Sequence, residues 1–309
     1  MQTLSIVTSA KNESENIFKL YSEIKIALAS ENYEWKLFIC DNGSTDDTWD
    51  RIKQLTIENP NVIGIQMTRD FGFEASIFAA IQRTNSDATI MMASDLQDPP
   101  AEIPKLLREY EKGYDHVFQV VTKRPDSSLI RNANSKVFYF IANKLSGGLI
   151  EVNSSIFRLI SRQVTDDLKI LTESNRFMRA LVPWLGHKSK GIPIERLSRF
   201  HGKSKSFSRG AFRYALKGIL SNSYRLLDYV GVLGIFVFFT SIFTLCAFLI
   251  IWVNIGVPFA GYGIIISAVV GGFGLVFLCL GIMAQYISLI YEEVKNRPNY
   301  VVKRIIGDK

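Results

Sequence analysis

The sequence has no aspartate, glutamate, lysine or arginine between Asp228 and Glu292, a gap of 63 residues. A helix needs about 20 apolar residues to cross a bilayer, so the gap is long enough for two membrane spans. We place them near 229–253 and 263–291, because the connector NIGVPFAGYG contains the helix breakers Gly and Pro. The alternative is a pair of buried helices in a soluble protein, but core helices rarely run this far without a charge.

The start of the sequence lacks the basic segment and apolar stretch of a signal peptide. Met1 and Gln2 lead directly into TLSIVTSA, which predicts a strand, so we expect residues 1–228 to stay in the cytoplasm. Basic residues flank the uncharged gap on both sides, at Arg209, Arg213, Lys217, Arg225, Lys295, Arg297, Lys303 and Arg304. Because such flanks lie on the cytoplasmic side, we predict a multi-pass protein of the inner (plasma) membrane with both termini cytoplasmic.

Cysteine is scarce: Cys40, Cys246 and Cys279 have neither metal-ligand nor disulfide-framework spacing, so we assign them to packing, Cys40 at the end of a strand and the other two inside the spans. The net charge is +7. Its basic residues cluster beside the spans, where anionic membrane lipid is a nearer partner than nucleic acid. We therefore expect membrane lipid, and no nucleic acid, among the partners.

The first 120 residues alternate between strand-like and helix-like segments, which predicts βαβ units and a mainly parallel α/β sheet. The predicted strands are LSIVTS, WKLFIC, VIGIQM, ATIMMA and DHVFQV, and the predicted helices are Glu13–Ser30, Asp46–Glu58, Phe73–Arg83 and Ala101–Lys112. In such sheets ligands bind beyond the carboxyl ends of the strands. The chemistry is therefore expected at 9–13, 41–44, 69–72 and 95–98.

Acidic side chains follow two of these strands. Asp41 is suited to bind ribose or base groups, or else to form an Asx-turn or cap; Ser44 or Thr45 is the expected N-cap of the next helix. Asp95 and Gln97 offer the oxygen ligands that Mg²⁺ or Mn²⁺ takes together with substrate diphosphate oxygens. Asp98 is instead expected to cap the helix after Pro99 and Pro100.

The segment 199–228 is basic and has apolar residues at helical spacing. It predicts an amphipathic helix at the membrane surface, or alternatively a solvated helix packed on the catalytic domain. Arginine and lysine are the side chains that bind phosphate oxygens. Their distribution between the acidic corner and the spans suggests transfer from a water-soluble nucleotide donor to a phosphate-bearing lipid.

Six motifs, in order along nearly the whole chain, resemble those of family 2 glycosyltransferases of the GT-A fold. SIVTSAKNESENI resembles SVVxPxYNExENI, DNGSTDDT resembles DDGSxDxT, TRDFGFEASIFAAI resembles SRNFGKExAxxAGL, ASDLQDPP resembles DADLQDPP, RFHGKSK resembles RxxGxSK, and YEEVKNRPNYVVK resembles the ending after the second span. Within the family the chain is similar to the polyprenyl-phosphate glycosyltransferases. These include dolichol-phosphate mannose synthase and the bactoprenol glucosyltransferases of O-antigen modification.

The resemblance implies a GT-A domain over 1–198, an amphipathic juxtamembrane segment over 199–228, two transmembrane helices within 229–291 and a cytoplasmic tail over 292–309. It implies that the donor nucleotide and diphosphate contact Ala10, Glu13, Asp41, Ser94, Asp95, Arg124, Arg199 and Lys205. Asp95 and Gln97 would bind the metal. Arg131 and Ser135 would receive the lipid phosphate and, with Asp95, form the catalytic set.

The implied reaction is inverting transfer of a sugar, with a UDP-linked hexose as the expected donor, to polyprenyl (undecaprenyl) phosphate. The lipid phosphate oxygen attacks the sugar C1 while the nucleoside diphosphate leaves, and the metal and basic groups stabilise its charge. Tetramers occur among the relatives, so a homo-oligomer is also implied.

Several residues depart from the family patterns, among them the following five. Ser9 and Lys11 replace Pro and Tyr, Asn42 replaces the second Asp of DDGS, Ala93 replaces the first Asp of DADLQDPP, and Ile156 stands where relatives have Asp before Phe-Arg. Ala93 removes a carboxylate from the donor corner. The alternative interpretation is therefore a catalytically impaired transferase that acts as a membrane binding or assembly protein.

Overall fold

The computed structural model describes residues 1–123, 154–173, 176–195 and 262–307, together with separate positions between 227 and 254. Its contacts divide the chain into two compact units, 1–218 with 297–309, and 219–296.

The first unit is built on one eight-stranded sheet. The strands are β1 Gln2–Ala10, β2 Tyr33–Asp41, β3 Val62–Met67, β4 Ala88–Ala93, β5 His116–Lys123, β6 Ser154–Ser161, β7 Ser189–Glu195 and β8 Val302–Ile306, in the spatial order β7-β5-β6-β4-β1-β2-β3-β8. The pairings β1–β2, β1–β4, β2–β3 and β5–β7 are parallel, whereas β4–β6, β5–β6 and β3–β8 are antiparallel. The α/β prediction is confirmed, and the sheet is mixed because two strands outside the β1–β4 core, β6 and β8, run against their neighbours.

The helices begin later than the sequence predicts in two of four cases. They are α1 Ile17–Ala27, α2 Thr48–Glu58, α3 Phe73–Ile81, a 3₁₀ turn Pro100–Glu102 continued by α4 Ile103–Glu111, α5 Arg162–Ile170, α6 Met178–Trp184 and α7 Tyr262–Val294. Large apolar side chains pack on both faces of the sheet, for example Leu4 and Ile6 on one face and Val7 and Phe38 on the other. The sheet is therefore buried on both faces, as the parallel β1–β4 core requires.

Two predicted helix caps are wrong. The N-cap position of α2 is Asp47, and no side chain there caps the helix. Ser44 and Thr45 instead bond to the β1 loop: Ser44 Oγ accepts a hydrogen bond from the Asn12 N–H at 3.0 Å, and the Thr45 N–H donates to Asn12 Oδ1 at 2.9 Å. Ser44 and Thr45 do not cap α2 because both bond to Asn12 in the loop after β1.

Cys40 is fully buried in β2, as predicted. Burial, reinforced by the nearby Asp41 carboxylate, raises the pKa of its thiol to about 12. Its interior role is packing against the apolar residues of that face of the sheet.

The sequence analysis predicted only a tail over 292–309, but part of this segment is a strand of the sheet. Residues Val302–Ile306 form β8, the edge strand that pairs with β3. The close approach is built around glycine: a Cβ at Gly64 would lie 2.9 Å from Ile306 Cγ1, and one at Gly307 would lie 2.4 Å from the Val62 carbonyl oxygen. The end of the chain therefore belongs to the same sheet as its start.

The second unit contains α7, 33 residues long. Within the described part of the chain, the segment Gly271–Val294 is the one helical stretch long and apolar enough to cross a membrane. Its 24 residues extend about 36 Å at 1.5 Å per residue, which exceeds the bilayer core of about 30 Å. The positions described between 227 and 254 are also helical.

Candidate active site

A cleft of about 290 Å³ lies where the strand order reverses between β1 and β4, at the carboxyl ends of the strands. The loops after β1, β2, β3 and β4 all contribute to it. Its lining residues are Ser9, Lys11, Glu13, Asn42, Asp70, Gly72, Phe73, Ala93, Ser94 and Asp95. The prediction that chemistry-bearing residues of these four loops come together is confirmed. A reversal of strand order is where α/β sheets open a crevice for ligands.

Each of the four loops turns at one residue with a positive φ: Asn12 at 57°, Gly43 at 68°, Gly72 at 92° and Leu96 at 57°. Leucine disfavours this left-handed region, and such strain concentrates at functional sites. At Gly43 a Cβ would lie 2.6 Å from the backbone of Arg69 and Asp70. Glycine at this position therefore lets the β2 and β3 loops approach each other.

Asp70 joins three of the loops. Its carboxylate forms an ion pair with the Lys11 ammonium, and it accepts hydrogen bonds from Asn42 Nδ2 at 2.8 Å and from the Gly72 N–H at 2.9 Å. Asn42 in turn accepts the Phe71 N–H at 2.9 Å. Partial burial acts to raise the pKa of Asp70, but the hydrogen bonds and the Lys11 charge outweigh it and hold the pKa below its ordinary value. Asp70 is therefore a carboxylate at neutral pH.

The floor of the cleft is formed by β1 and β4, which place Ser9 beside Ala93. Ser9 accepts a hydrogen bond from the Ser76 hydroxyl, and its carbonyl oxygen accepts the Ser94 hydroxyl at 2.9 Å. Ala10 is fully buried within β1 and does not line the cleft; its carbonyl accepts the Asn42 N–H at 2.9 Å. Of these two predicted donor contacts, only Ser94 lines the cleft.

Asp95 lies at the cleft on the tight turn after β4. Its Oδ1 accepts the Gln97 N–H at 3.2 Å, and the left-handed Leu96 between them is buried. Leu96 packs inward and its two neighbours are half-buried; Asp95 lines the cleft, whereas the predicted metal ligand Gln97 is not among the lining residues. Carboxylate and amide oxygens are suited to Mg²⁺ or Mn²⁺. Among the described residues no group of three or more His, Cys, Asp or Glu is placed to hold a metal, so such an ion would also need substrate or water oxygens.

Asp98 is not a helix cap. The residues at the cap positions of the following turns are Pro99 and Glu102. Asp98 is instead fully buried and accepts a hydrogen bond from the Ser155 hydroxyl at 2.6 Å. It holds the β4 loop to the beginning of β6.

Glu13 and Asp41 were both predicted to bind the nucleoside. Glu13 lines the cleft, and its carboxylate accepts a hydrogen bond from the Asn16 amide at 2.5 Å. Asp41 is 1% exposed, and its Oδ1 accepts the N–H of Ser44, three residues further along the chain, at 3.1 Å. The structure thus places Glu13 in the lining of the cleft, and Asp41 is buried at the end of β2, next to the lining residue Asn42.

The remaining predicted site residues, Arg124, Arg131, Ser135, Arg199 and Lys205, and the amphipathic segment 199–228, lie outside the described residues apart from Leu227. The sequence analysis did not single out Asp70 or Phe73, although Asp70 fell in a predicted loop. The available signal was a pair of opposite charges, Lys11 and Asp70, in two loops predicted to meet at one edge of the sheet.

The profile of the family described as "Glycosyl transferase family 2" matches residues 5–169 of the chain. The SfII prophage-derived bactoprenol glucosyl transferase of Shigella flexneri is 32% identical over 97% of this chain and 97% of its own length. The prophage bactoprenol glucosyl transferase homolog of Escherichia coli K12 is 30% identical, with 98% and 99% covered.

Among solved structures, the fold is similar to that of glucosyl-3-phosphoglycerate synthase from Mycobacterium tuberculosis, crystallised with Mn²⁺ and UDP-glucose. The TM-score is 0.50 at 19% identity, and 72% of this chain and 79% of that chain are covered. At this identity the likeness concerns the fold alone.

Proposed function

Because the chain belongs to glycosyl transferase family 2 and is a glycosyltransferase, we propose that it transfers a hexose from a UDP-linked donor to undecaprenyl phosphate. The observation that carries this proposal is the cleft between β1 and β4, with Glu13 and Asp95 at its rim. The lipid acceptor is supported by relatives aligned along almost the whole chain that are named for bactoprenol glucosyl transfer.

The donor would lie in this cleft with its diphosphate toward Asp95. Asp95 and Gln97 would hold Mg²⁺ or Mn²⁺, whose charge would stabilise the departing nucleoside diphosphate. The similar mycobacterial enzyme was crystallised with Mn²⁺ and UDP-glucose, which supports this choice of ion. Glu13 and Ser94 would position the donor nucleotide. Asp41 and Ala10, which are buried and do not line the cleft, would support the loops that hold these residues.

The acceptor phosphate oxygen would attack the sugar C1 and break its bond to the diphosphate with inversion. A phosphate monoester has a second pKa near 6, so this oxygen is largely anionic at neutral pH and requires positioning more than a base. Ile156 is buried against apolar residues, and no base is needed at its position. Arg131 and Ser135 are proposed to hold the lipid phosphate, and Arg124, Arg199 and Lys205 the donor phosphates.

The sheet supports the proposed membrane topology with two spans. β7 precedes the apolar segment and β8 follows it, yet both are strands of one sheet and must lie on one side of a membrane. The chain therefore crosses an even number of times between 196 and 301. α7 supplies one span, and the helical positions from 227 to 254, with Phe236, Phe243 and Ile250 exposed, support the other. Lipid would cover these apolar side chains.

The alternative of an impaired transferase is not favoured. Ala93 removes one carboxylate, but Asp95 remains at the cleft beside it.

The transfer is tested with the purified full-length protein, undecaprenyl phosphate, Mn²⁺ and a panel of UDP- and GDP-sugars, with mass spectrometry of the lipid product. We expect a lipid-linked hexose from at least one UDP-sugar and none from Asp95→Asn. If none of the donors gives a lipid-linked sugar, the proposal is contradicted.

The topology is tested by fusing a fluorescent protein or alkaline phosphatase after Lys309. A cytoplasmic C-terminus gives fluorescence and an inactive phosphatase. An active phosphatase would contradict two spans.

A further inference from the structure

The cleft contains a cation fixed by its neighbours. Asp70 binds the Lys11 ammonium through one carboxylate oxygen, while Asn42 and the Gly72 N–H hold the other. An ammonium has three N–H donors, so pairing with Asp70 leaves donors for a ligand. The Lys11 side chain is 42% exposed and lines the cleft that also contains Asp95.

The residues of this contact differ from the family patterns in a coordinated way. The patterns have Asp at position 42 and Asn at position 70, and this chain has Asn42 and Asp70. The two side chains touch, so the exchange keeps one carboxylate and one amide in contact. The exchange moves the carboxylate from position 42 to position 70, where it binds Lys11. Lys11 itself replaces the Tyr of the pattern.

These exchanges change the charge of the cleft. The ionisable residues that line it are Lys11, Glu13, Asp70 and Asp95, one cation against three carboxylates. With the pattern residues at 11, 42, 70 and 93, the same lining would hold four carboxylates and no cation. A diphosphate is itself anionic, so a lining with that acidic pattern needs a divalent cation more strongly than this one does.

We propose that Lys11 binds the diphosphate of the nucleotide donor and takes over part of the role of the divalent cation, so that this cleft binds a nucleoside diphosphate without metal. The inference rests on the proposed function, since it assumes a nucleotide donor. It assigns Lys11 as a binding residue, and Asp70 and Asn42 as the residues that position it. It also gives Ala93 a consequence: the missing carboxylate lowers repulsion of the diphosphate when no metal is bound.

The experiment measures UDP affinity of the full-length protein by calorimetry, in EDTA and in Mn²⁺. We expect the wild type to bind UDP in EDTA within about tenfold of its affinity in Mn²⁺. Lys11→Met should weaken binding in EDTA by about tenfold or more, as expected for loss of a charged hydrogen bond, and binding in Mn²⁺ by less. The matched control is Lys53→Met, since Lys53 is 43% exposed, pairs with Asp50 and does not line the cleft; it should bind UDP like the wild type.

Ala93→Asp provides a second variant in case Lys11→Met fails to fold. It adds a carboxylate to the cleft, so binding in EDTA should weaken and the gain from Mn²⁺ should grow.

Two results would overturn the inference while leaving the proposed function standing. In the first, Lys11→Met and Lys53→Met bind UDP equally well in EDTA. In the second, the wild type binds UDP only when Mn²⁺ is present and not in EDTA. A wild type that binds neither UDP nor GDP, with or without Mn²⁺, would instead overturn the proposed function and the inference together.

Discussion

The Ser155 hydroxyl donates a hydrogen bond of 2.6 Å to Asp98, and both residues are buried. Ser155 belongs to β6, and Asp98 follows β4 by five residues, so this contact holds the loop of Asp95 against the neighbouring strand. Two carboxylates three residues apart thus have different tasks: Asp95 faces the cleft and Asp98 the interior.

Substitutions at these carboxylates should separate activity from stability. Asp98→Ala leaves a buried hydroxyl without this acceptor, which costs about 1–3 kcal/mol and lowers the melting temperature by roughly 2–4 °C per kcal/mol. Asp95→Ala should reduce sugar transfer by about 100-fold or more with an unchanged melting temperature. Thermal unfolding and the transfer assay measure both; a strongly destabilised Asp95→Ala would contradict the division.

Gly307 should be more sensitive to substitution than another glycine of similar backbone. Both Gly307 (φ 80°) and Gly113 (φ 85°) are left-handed, but a Cβ at Gly113 has nothing within 4 Å. Gly113→Ala should therefore cost about 1–2 kcal/mol from backbone strain alone. Gly307→Ala adds the clash with the Val62 carbonyl and should cost about 3 kcal/mol or more. Melting temperatures of the two variants make the comparison, and equal losses would show that β8 does not need this close approach.

His116 should make the first unit less stable in mild acid. Burial, followed by the charges of Arg158 and His187, lowers the pKa of His116 well below 6.5. The unfolded chain therefore binds a proton below about pH 6.5 that the folded chain does not, and stability falls as the pH decreases. The loss between pH 7.5 and 5.5 is about 1.4 kcal/mol for this group.

The measurement is the melting temperature of wild type and His116→Gln at both pH values. Gln retains a polar group for Ser189, which lies 3.1 Å from His116 Nδ1, and should flatten the pH dependence. His187→Gln is the control: it removes only the smallest of the three causes, and burial, the largest, remains, so most of the His116 contribution should persist. An identical slope in wild type and His116→Gln would refute the assignment.

The sequence predicted the strands around the cleft well because their signal is local. VIGIQM and ATIMMA match β3 and β4 residue for residue, and chain direction then determines which loops meet. It failed where a distant partner decides the conformation. Ser44 bonds to Asn12 rather than capping α2, and Asp98 finds Ser155 across 57 residues.

The left-handed Leu96 could not be predicted either, because only packing of its side chain into the core offsets the backbone strain. The strand β8 was missed for another reason: VKRII follows a predicted membrane span, which favoured a tail, and its close approach to β3 depends on Gly64 and Gly307. The motifs located Asp95 and Glu13. They did not show that Lys11, Asn42 and Asp70 form one contact.

The position of β8 also constrains the order in which the protein is made. β3 is synthesised before α7, whereas its outer partner β8 is synthesised after α7. The edge of β3 must therefore stay unpaired while the apolar helices are synthesised. An unpaired edge is a site for wrong association, and the edge of β3 is exposed to it until β8 has been synthesised.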